Sequence, residues 1–195
     1  MSSIIFLITT VIMLRQDKFN SSTLLRSLAY SVALSVRQAQ VYSTSVRETS
    51  LGSGIFSSGF GVYFPGALAQ YYVFADANSN GARNVGEDLP GYKIGSDFTV
   101  KDFCASVVGT GALHCLSSAS GPTHIDTLTI FFRRPNPDAC VVTSTAGSCA
   151  LGVAAVYSDA YIQLASTHNS DARSIKVSSS GQISVCAPNT TAPAC

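Results

Sequence analysis

Charge is scarce in this chain. Asp, Glu, Lys and Arg make up only 12% of its 195 residues. A surface so poor in charge must be built from Ser, Thr, Asn and Gly, which suits an extracellular surface or one largely buried in an assembly. No run of Lys and Arg interleaved with aromatics marks a phosphate-tracking groove, so no specific nucleic acid is expected. Several catalytic signatures are missing too. There is no Gly-x-Ser-x-Gly elbow, no Gly-rich phosphate loop and no dinucleotide fingerprint, and His114, His124 and His168 stand at no metal-ligand spacing. An enzyme is therefore not expected. Cysteine is absent before Cys104, and no Cys-x-x-Cys occurs, which argues against a zinc ribbon or a thioredoxin-like site. The longest apolar run near the start, Ile4 to Leu14, falls short of the roughly 20 residues that a spanning helix needs. It has no basic segment before it and no Ala-x-Ala site after it, so it does not read as a cleaved signal peptide.

Pro and Gly are also missing before Gly52, and this absence is the more informative one. Nothing there interrupts a helix from Ile4 to about Glu48. Its first part is apolar, and a polar hinge follows at Arg15–Asn20. Leu24, Leu25, Leu28, Val32, Ala33 and Val36 then recur at steps of three and four, the stripe of an amphipathic helix lying on a sheet. Ser21 or Ser22 would cap a new start if the helix broke after Asn20. Such a helix would be about 68 Å long, more than one domain of this size can bury. Its first half is expected to project and to need a membrane or other copies of itself. Charge divides the same way. Residues 1–50 hold five bases and two acids, a net +3, and residues 51–195 hold seven bases and nine acids, a net −2. The chain thus reads as a helix over 1–50 and a β-rich head over 51–195.

In the head, Thr49 to Gly54 reads as a linker. Strands are expected at Phe60–Phe64, Gln70–Ala75, within Lys93–Cys104, at Thr123–Arg134, Val141–Thr143 and Val153–Ala165. A closing hairpin pairs Arg173–Val177 with Gln182–Val185 across Ser178–Gly181. Pro135-Asn136-Pro137 ends the fourth stretch. One helix followed by about seven antiparallel strands gives an α+β fold. Six cysteines in a Ser/Thr-rich chain read as disulfides in an oxidising compartment. The favoured pairs are Cys104–Cys115, Cys140–Cys149 and Cys186–Cys195, each closing a short loop rich in Gly, Ser or Pro.

The sharpest local motif runs from Asp76 to Glu87. Counted from Asp76, oxygen donors stand at positions 1, 3, 5, 9 and 12, with Gly81 at position 6. That is the spacing of an EF-hand calcium loop. Asp76, Asn78, Asn80, the Ala82 carbonyl, Asn84 and a bidentate Glu87 would hold Ca2+, weakly, at ~10⁻⁴–10⁻³ M. The other reading is an Asn/Gly-rich turn whose side chains cap its own backbone.

Three stretches carry a family resemblance: the helix segment Leu24–Tyr42, Phe60-Gly61-Val62-Tyr63-Phe64, and Tyr72-Val73-Phe74-Ala75-Asp76-Ala77-Asn78-Ser79-Asn80-Gly81. With the closing hairpin they resemble type IV pilin-like proteins, near minor pilins and H-type pseudopilins of type II secretion. The resemblance implies a lollipop, a long N-terminal helix packed on an antiparallel sheet head. It implies a structural filament subunit, held in the inner membrane before assembly and at the cell surface afterwards, with copies of itself or other pilins as partners. Ile4, Ile5, Phe6, Leu7, Ile8, Val11, Ile12 and Leu14 would be the assembly residues. Such proteins carry a Gly-Phe-Thr-Leu-Ile-Glu-like peptidase motif before the apolar run. None stands here, so residues ahead of Met1 are expected. A monomeric membrane-anchored module with a calcium-stabilised head, and a secretion pseudopilin, are the alternatives.

Overall fold

A computed structural model describes residues 2–45, 48, 54, 56, 59–66, 69–90, 92–150, 152–168, 170–187 and 195. Within its helix, the described side chains are those of 4–6, 9, 10 and 20 onward. The expected linker at 49–53 and the side chains of Leu7, Ile8, Val11, Ile12 and Leu14 lie outside the described residues.

The helix α1 spans Ser2–Thr44. It runs through Asn20 without a break, so neither Ser21 nor Ser22 starts a second helix. It stops short of Glu48 for a local reason. The hydroxyls of Ser43, Thr44 and Ser45 donate to the carbonyls of Gln40, Val41 and Tyr42 at 2.7, 3.0 and 3.1 Å. Three hydroxyls in a row thus bond back to carbonyls of the last turn, Val41 O also accepting from Ser45 N at 3.0 Å, and such bonds compete with a continuing helix.

Among the described residues ten strands follow: β1 (Gly59–Phe64), β2 (Tyr72–Asp76), β3 (Asp88–Leu89), β4 (Phe98–Val107), β5 (Leu113–Cys115), β6 (Leu128–Arg133), β7 (Ala139–Thr143), β8 (Tyr157–Ser166), β9 (Ala172–Ser178) and β10 (Ile183–Val185). They form two five-stranded sheets, ordered β3-β2-β1-β6-β7 and β10-β9-β8-β4-β5, and every pairing within them is antiparallel. This overturns the expected fold class. The molecule is mostly antiparallel β in two sheets, and the α+β lollipop of one long helix on one sheet is not what the chain forms. Among the helix side chains described, the buried ones run from Leu25 to Ser43. The physical reason is the amount of apolar strand surface. A single helical stripe cannot cover the inward faces of so many strands, so the sheets also cover each other.

The packed stripe is Leu25, Ala29, Val32, Val36 and Ala39, with small residues allowing close approach. It touches β1, β2 and β6 of the first sheet and β8, β9 and β10 of the second. The first sheet contributes Phe60, Val62, Phe64, Val73, Leu128, Ile130 and Phe132 to the shared core, and the second contributes Phe103, Ala160, Ile162, Leu164, Ile175 and Val177. A few polar bonds tie the helix down. Ser35 Oγ lies 2.9 Å from Tyr71 Oη. The buried Gln40 amide donates to Pro137 O at 2.7 Å and Gly181 O at 3.0 Å. Gly181 sits at φ +79°, and a Cβ there would stand 2.2 Å from Pro137 O. The β9–β10 turn therefore needs glycine where the helix meets it.

The far face of the first sheet carries a second, smaller cluster of Phe74, Phe131 and Cys149. Phe74 and Phe131 stack across β1 with ring centroids 6.1 Å apart. They reach each other because the intervening residues of β1 on that face are Gly59 and Gly61. A Cβ at Gly61 would fall 2.6 Å from the Phe74 ring, and one at Gly59 would fall 2.5 Å from the Phe131 ring.

Candidate functional site

The loop Ala77–Glu87 leaves β2 on that far face. Asp76 is fully buried. Its two carboxylate oxygens accept from Asn80 N at 3.1 Å and Gly81 N at 2.9 Å. Asn78 Oδ1 accepts from Asn80 N, and Asn80 Oδ1 from Ala82 N. Glu87 closes the loop, with Oε1 on Ala77 N at 3.0 Å and Oε2 on Asn84 N at 2.8 Å. The Ala82 carbonyl accepts from the Asn84 amide. All six residues expected to hold calcium are brought into one loop, and each is engaged within it. Charged carboxylates accepting backbone N–H bonds are the stronger kind of hydrogen bond, and here they hold a chain reversal together. A calcium ion would have to share these lone pairs or displace the bonds.

Arg83 works outward from the same loop. Its guanidinium forms a two-pronged pair with Asp88, both contacts at 2.6 Å. It also lies 4.0 Å above the Tyr72 ring and 5.2 Å from Tyr63. The Asp88 hydrogen bond, above all, raises its already high pKa. Cys149, bridged to Cys140, supplies the loop's floor, with its Cβ only 2.9 Å from where a Gly81 side chain would begin.

The other two bridges are Cys104–Cys115, between paired positions of β4 and β5, and Cys186–Cys195. Among the described residues one group of acids, histidines and cysteines gathers tightly enough for a metal: Asp102, Cys104 and Cys115. Both sulfurs are bound to each other and offer no thiolate. The Asp102 carboxylate accepts from Ser117 N at 3.1 Å and Ser117 Oγ at 2.5 Å. His124 pairs with Asp126, and His168 with Asp97, both near the surface. His114 Nδ1 lies 3.2 Å from the Tyr157 hydroxyl, which also meets Thr143 Oγ1 at 3.0 Å. Asn189-Thr190-Thr191, a sequence fitting an N-glycosylation site, lies outside the described residues.

The remaining candidate is the helix surface. Ile4, Ile5 and Phe6 are exposed, Phe6 by 75%. Farther on, Tyr30, Leu34 and Val41 form an exposed row on the side of α1 away from the strands, Leu34 by 68%. Steps of four and seven place them on one face. Of the stripe expected at Leu24, Leu25, Leu28, Val32, Ala33 and Val36, Leu24 faces outward, 48% exposed, and the outer row belongs to the same wheel. Arg26 and Arg37 flank it in solvent, and Arg26 lies 5.8 Å from the Tyr30 ring. Among the described residues no helix is long and apolar enough to cross a membrane.

Comparison with protein-family models, with curated proteins and with solved structures finds no match for this chain.

Proposed function

We propose that this protein is a structural subunit of an extracellular filament of the type IV pilus kind, which assembles with copies of itself through the apolar start of its helix and catalyses nothing. The observation that carries this reading is the exposure of Ile4, Ile5 and Phe6 on a helix whose first buried side chain, among those described, is Leu25. About 30 Å of helix precedes that residue. Apolar area left in water costs about 25 cal/mol per Å², so such a helix is stable only when something covers it. Before assembly the inner membrane would cover it, and afterwards neighbouring helices would. A repeated, non-reciprocal contact of this kind grows as an open helical array. Three disulfides suit a head that works outside the reducing cytosol.

The test is removal of detergent from the purified full-length chain, followed by electron microscopy. Filaments are expected from the unaltered chain. Ile5→Asp with Phe6→Asp should abolish them without changing the melting of the strands. A chain that stays monomeric in vesicles and never forms filaments would overturn the reading in favour of a membrane-anchored module.

A further inference from the structure

Asn80 is the only asparagine in the chain that a glycine follows. The dipeptide carries its own chemistry. With no Cβ on the second residue, the backbone nitrogen can close on the asparagine side chain. The Gly81 nitrogen would bond to Asn80 Cγ while the bond from Cγ to the side-chain nitrogen breaks. That nitrogen leaves as ammonia, carrying the proton that Gly81 N gives up. The resulting five-membered imide then takes up water. Opening at Cγ leaves aspartate at position 80. Opening at the backbone carbonyl leaves isoaspartate, with the chain running on through Cγ.

The loop presents this dipeptide and also restrains it. Asn80 is exposed, so water and a leaving ammonia have free passage. Gly81 is buried, and its N–H donates to Asp76 Oδ2 at 2.9 Å. The other Asp76 oxygen accepts from Asn80 N at 3.1 Å. Asn80 Oδ1 accepts from Ala82 N at 2.8 Å. Both reacting groups are thus bonded elsewhere, and ring closure has to draw them from those partners into line with each other. Charge acts in the same direction. The Gly81 nitrogen must lose its proton to react, and a carboxylate oxygen 2.9 Å away opposes the negative charge this leaves.

We propose that Asn80-Gly81 is a site of spontaneous deamidation, which the Asp76 carboxylate holds shut in the folded chain. Modification then follows local opening of the loop, and it is one-way. Isoaspartate places one more backbone atom between the two N–H groups that Asp76 now holds together. Either product adds a negative charge to a loop already closed by Asp76 and Glu87. The inference stands apart from the assembly reading, since it concerns the loop's own chemistry.

The test incubates the full-length chain in mildly alkaline buffer, folded and in urea, and follows the tryptic peptide Glu48–Arg83 by mass spectrometry. Fragment ions separate position 80 from Asn78, which precedes serine and serves as the internal control. Chromatography separates the aspartate and isoaspartate products. In urea, the unaltered chain and Asp76→Ala should be modified at position 80 at equal rates. Folded, the unaltered chain should react about tenfold more slowly than in urea, and folded Asp76→Ala should approach the urea rate. Circular dichroism shows whether that variant is folded. If it is not, Asp76→Asn takes its place, since it keeps an acceptor oxygen and loses only the charge, and its folded rate should fall between the two. No modification at position 80 in urea overturns the site. Equal rates for the unaltered chain, folded and in urea, overturn the restraint. A folded variant as slow as the unaltered chain overturns the part given to Asp76.

Discussion

Asp76 shows how much one side chain can do here. It is buried, and its carboxylate accepts the backbone N–H groups of Asn80 and Gly81. Removing it leaves the buried Gly81 N–H without this acceptor, at about 1–3 kcal/mol, while Asn80 N keeps Asn78 Oδ1. Asp76→Ala should therefore lower the urea midpoint by a corresponding amount in chelator. We expect the same loss in millimolar calcium, because the loop's donors are its own. A rise in the wild-type midpoint with calcium that Asp76→Ala lacks would instead place the ion in the loop. Gly81 belongs to the same account. Its φ of +73° and the Cys149 Cβ beside it both forbid a side chain. The EF-hand-like spacing and the turn chemistry call on the same residues, because both need short oxygen-bearing side chains that bend back on the backbone.

At the level of elements, the helix is attached by its stripe and by one amide. Gln40 donates to two carbonyls from separate loops, one after β6 and one between β9 and β10. Gln40→Ala should destabilise the protein by about 1–3 kcal/mol. Amide hydrogen exchange should rise first in 24–44, with β4, β8 and β9 keeping their protection. Uniform loosening of helix and strands would refute this local attachment. Some elements were plain in the sequence. Ile125, Leu128, Ile130 and Phe132 alternate, and β6 is there, although it begins only at Leu128. The stripe at Leu25, Val32 and Val36 was equally plain. The two short strands β3 and β5 were not, since two or three residues cannot display a period. The division into two sheets was hidden for a deeper reason. Alternation says which side chains face inward but not which strands they share that inside with. Val153–Val156 were read as the start of a strand, because an exposed apolar run and a buried one are spelled alike. The structure starts β8 at Tyr157 and leaves those residues outside.

At the scale of the whole molecule, a hydroxyl seam complements the core. Tyr157 of the second sheet is fully buried and meets Thr143 of the first. Tyr71 meets the helix through Ser35, and burial, only partly offset by that bond, raises its pKa. Lys176 is also raised, chiefly by its hydrogen bond to Asp159. For both groups the folded state favours the protonated form. Their contribution is fully present below the unfolded value, about pH 10, and is lost as pH rises through the higher folded one. Stability should therefore fall in alkali, and Tyr71→Phe should lessen the fall, measured by denaturant midpoint against pH. An unchanged alkaline profile in Tyr71→Phe would remove Tyr71 from the explanation.

The amide of Gln40 also sets an order in time. Its two carbonyl partners lie 97 and 141 residues further along the chain. Contacts so distant in sequence make folding slow, since the ends of a long loop must meet before the contact rewards them. During synthesis the stripe Leu25–Ala39 is completed early, while β9 and β10, which help to cover it, follow the other strands. The helix can lie first on β1, β2 and β6, and its contact with the second sheet is completed only once β9 and β10 are made. Until then the side of the stripe that faces this hairpin is left in water, an apolar surface of the kind through which incompletely folded chains aggregate.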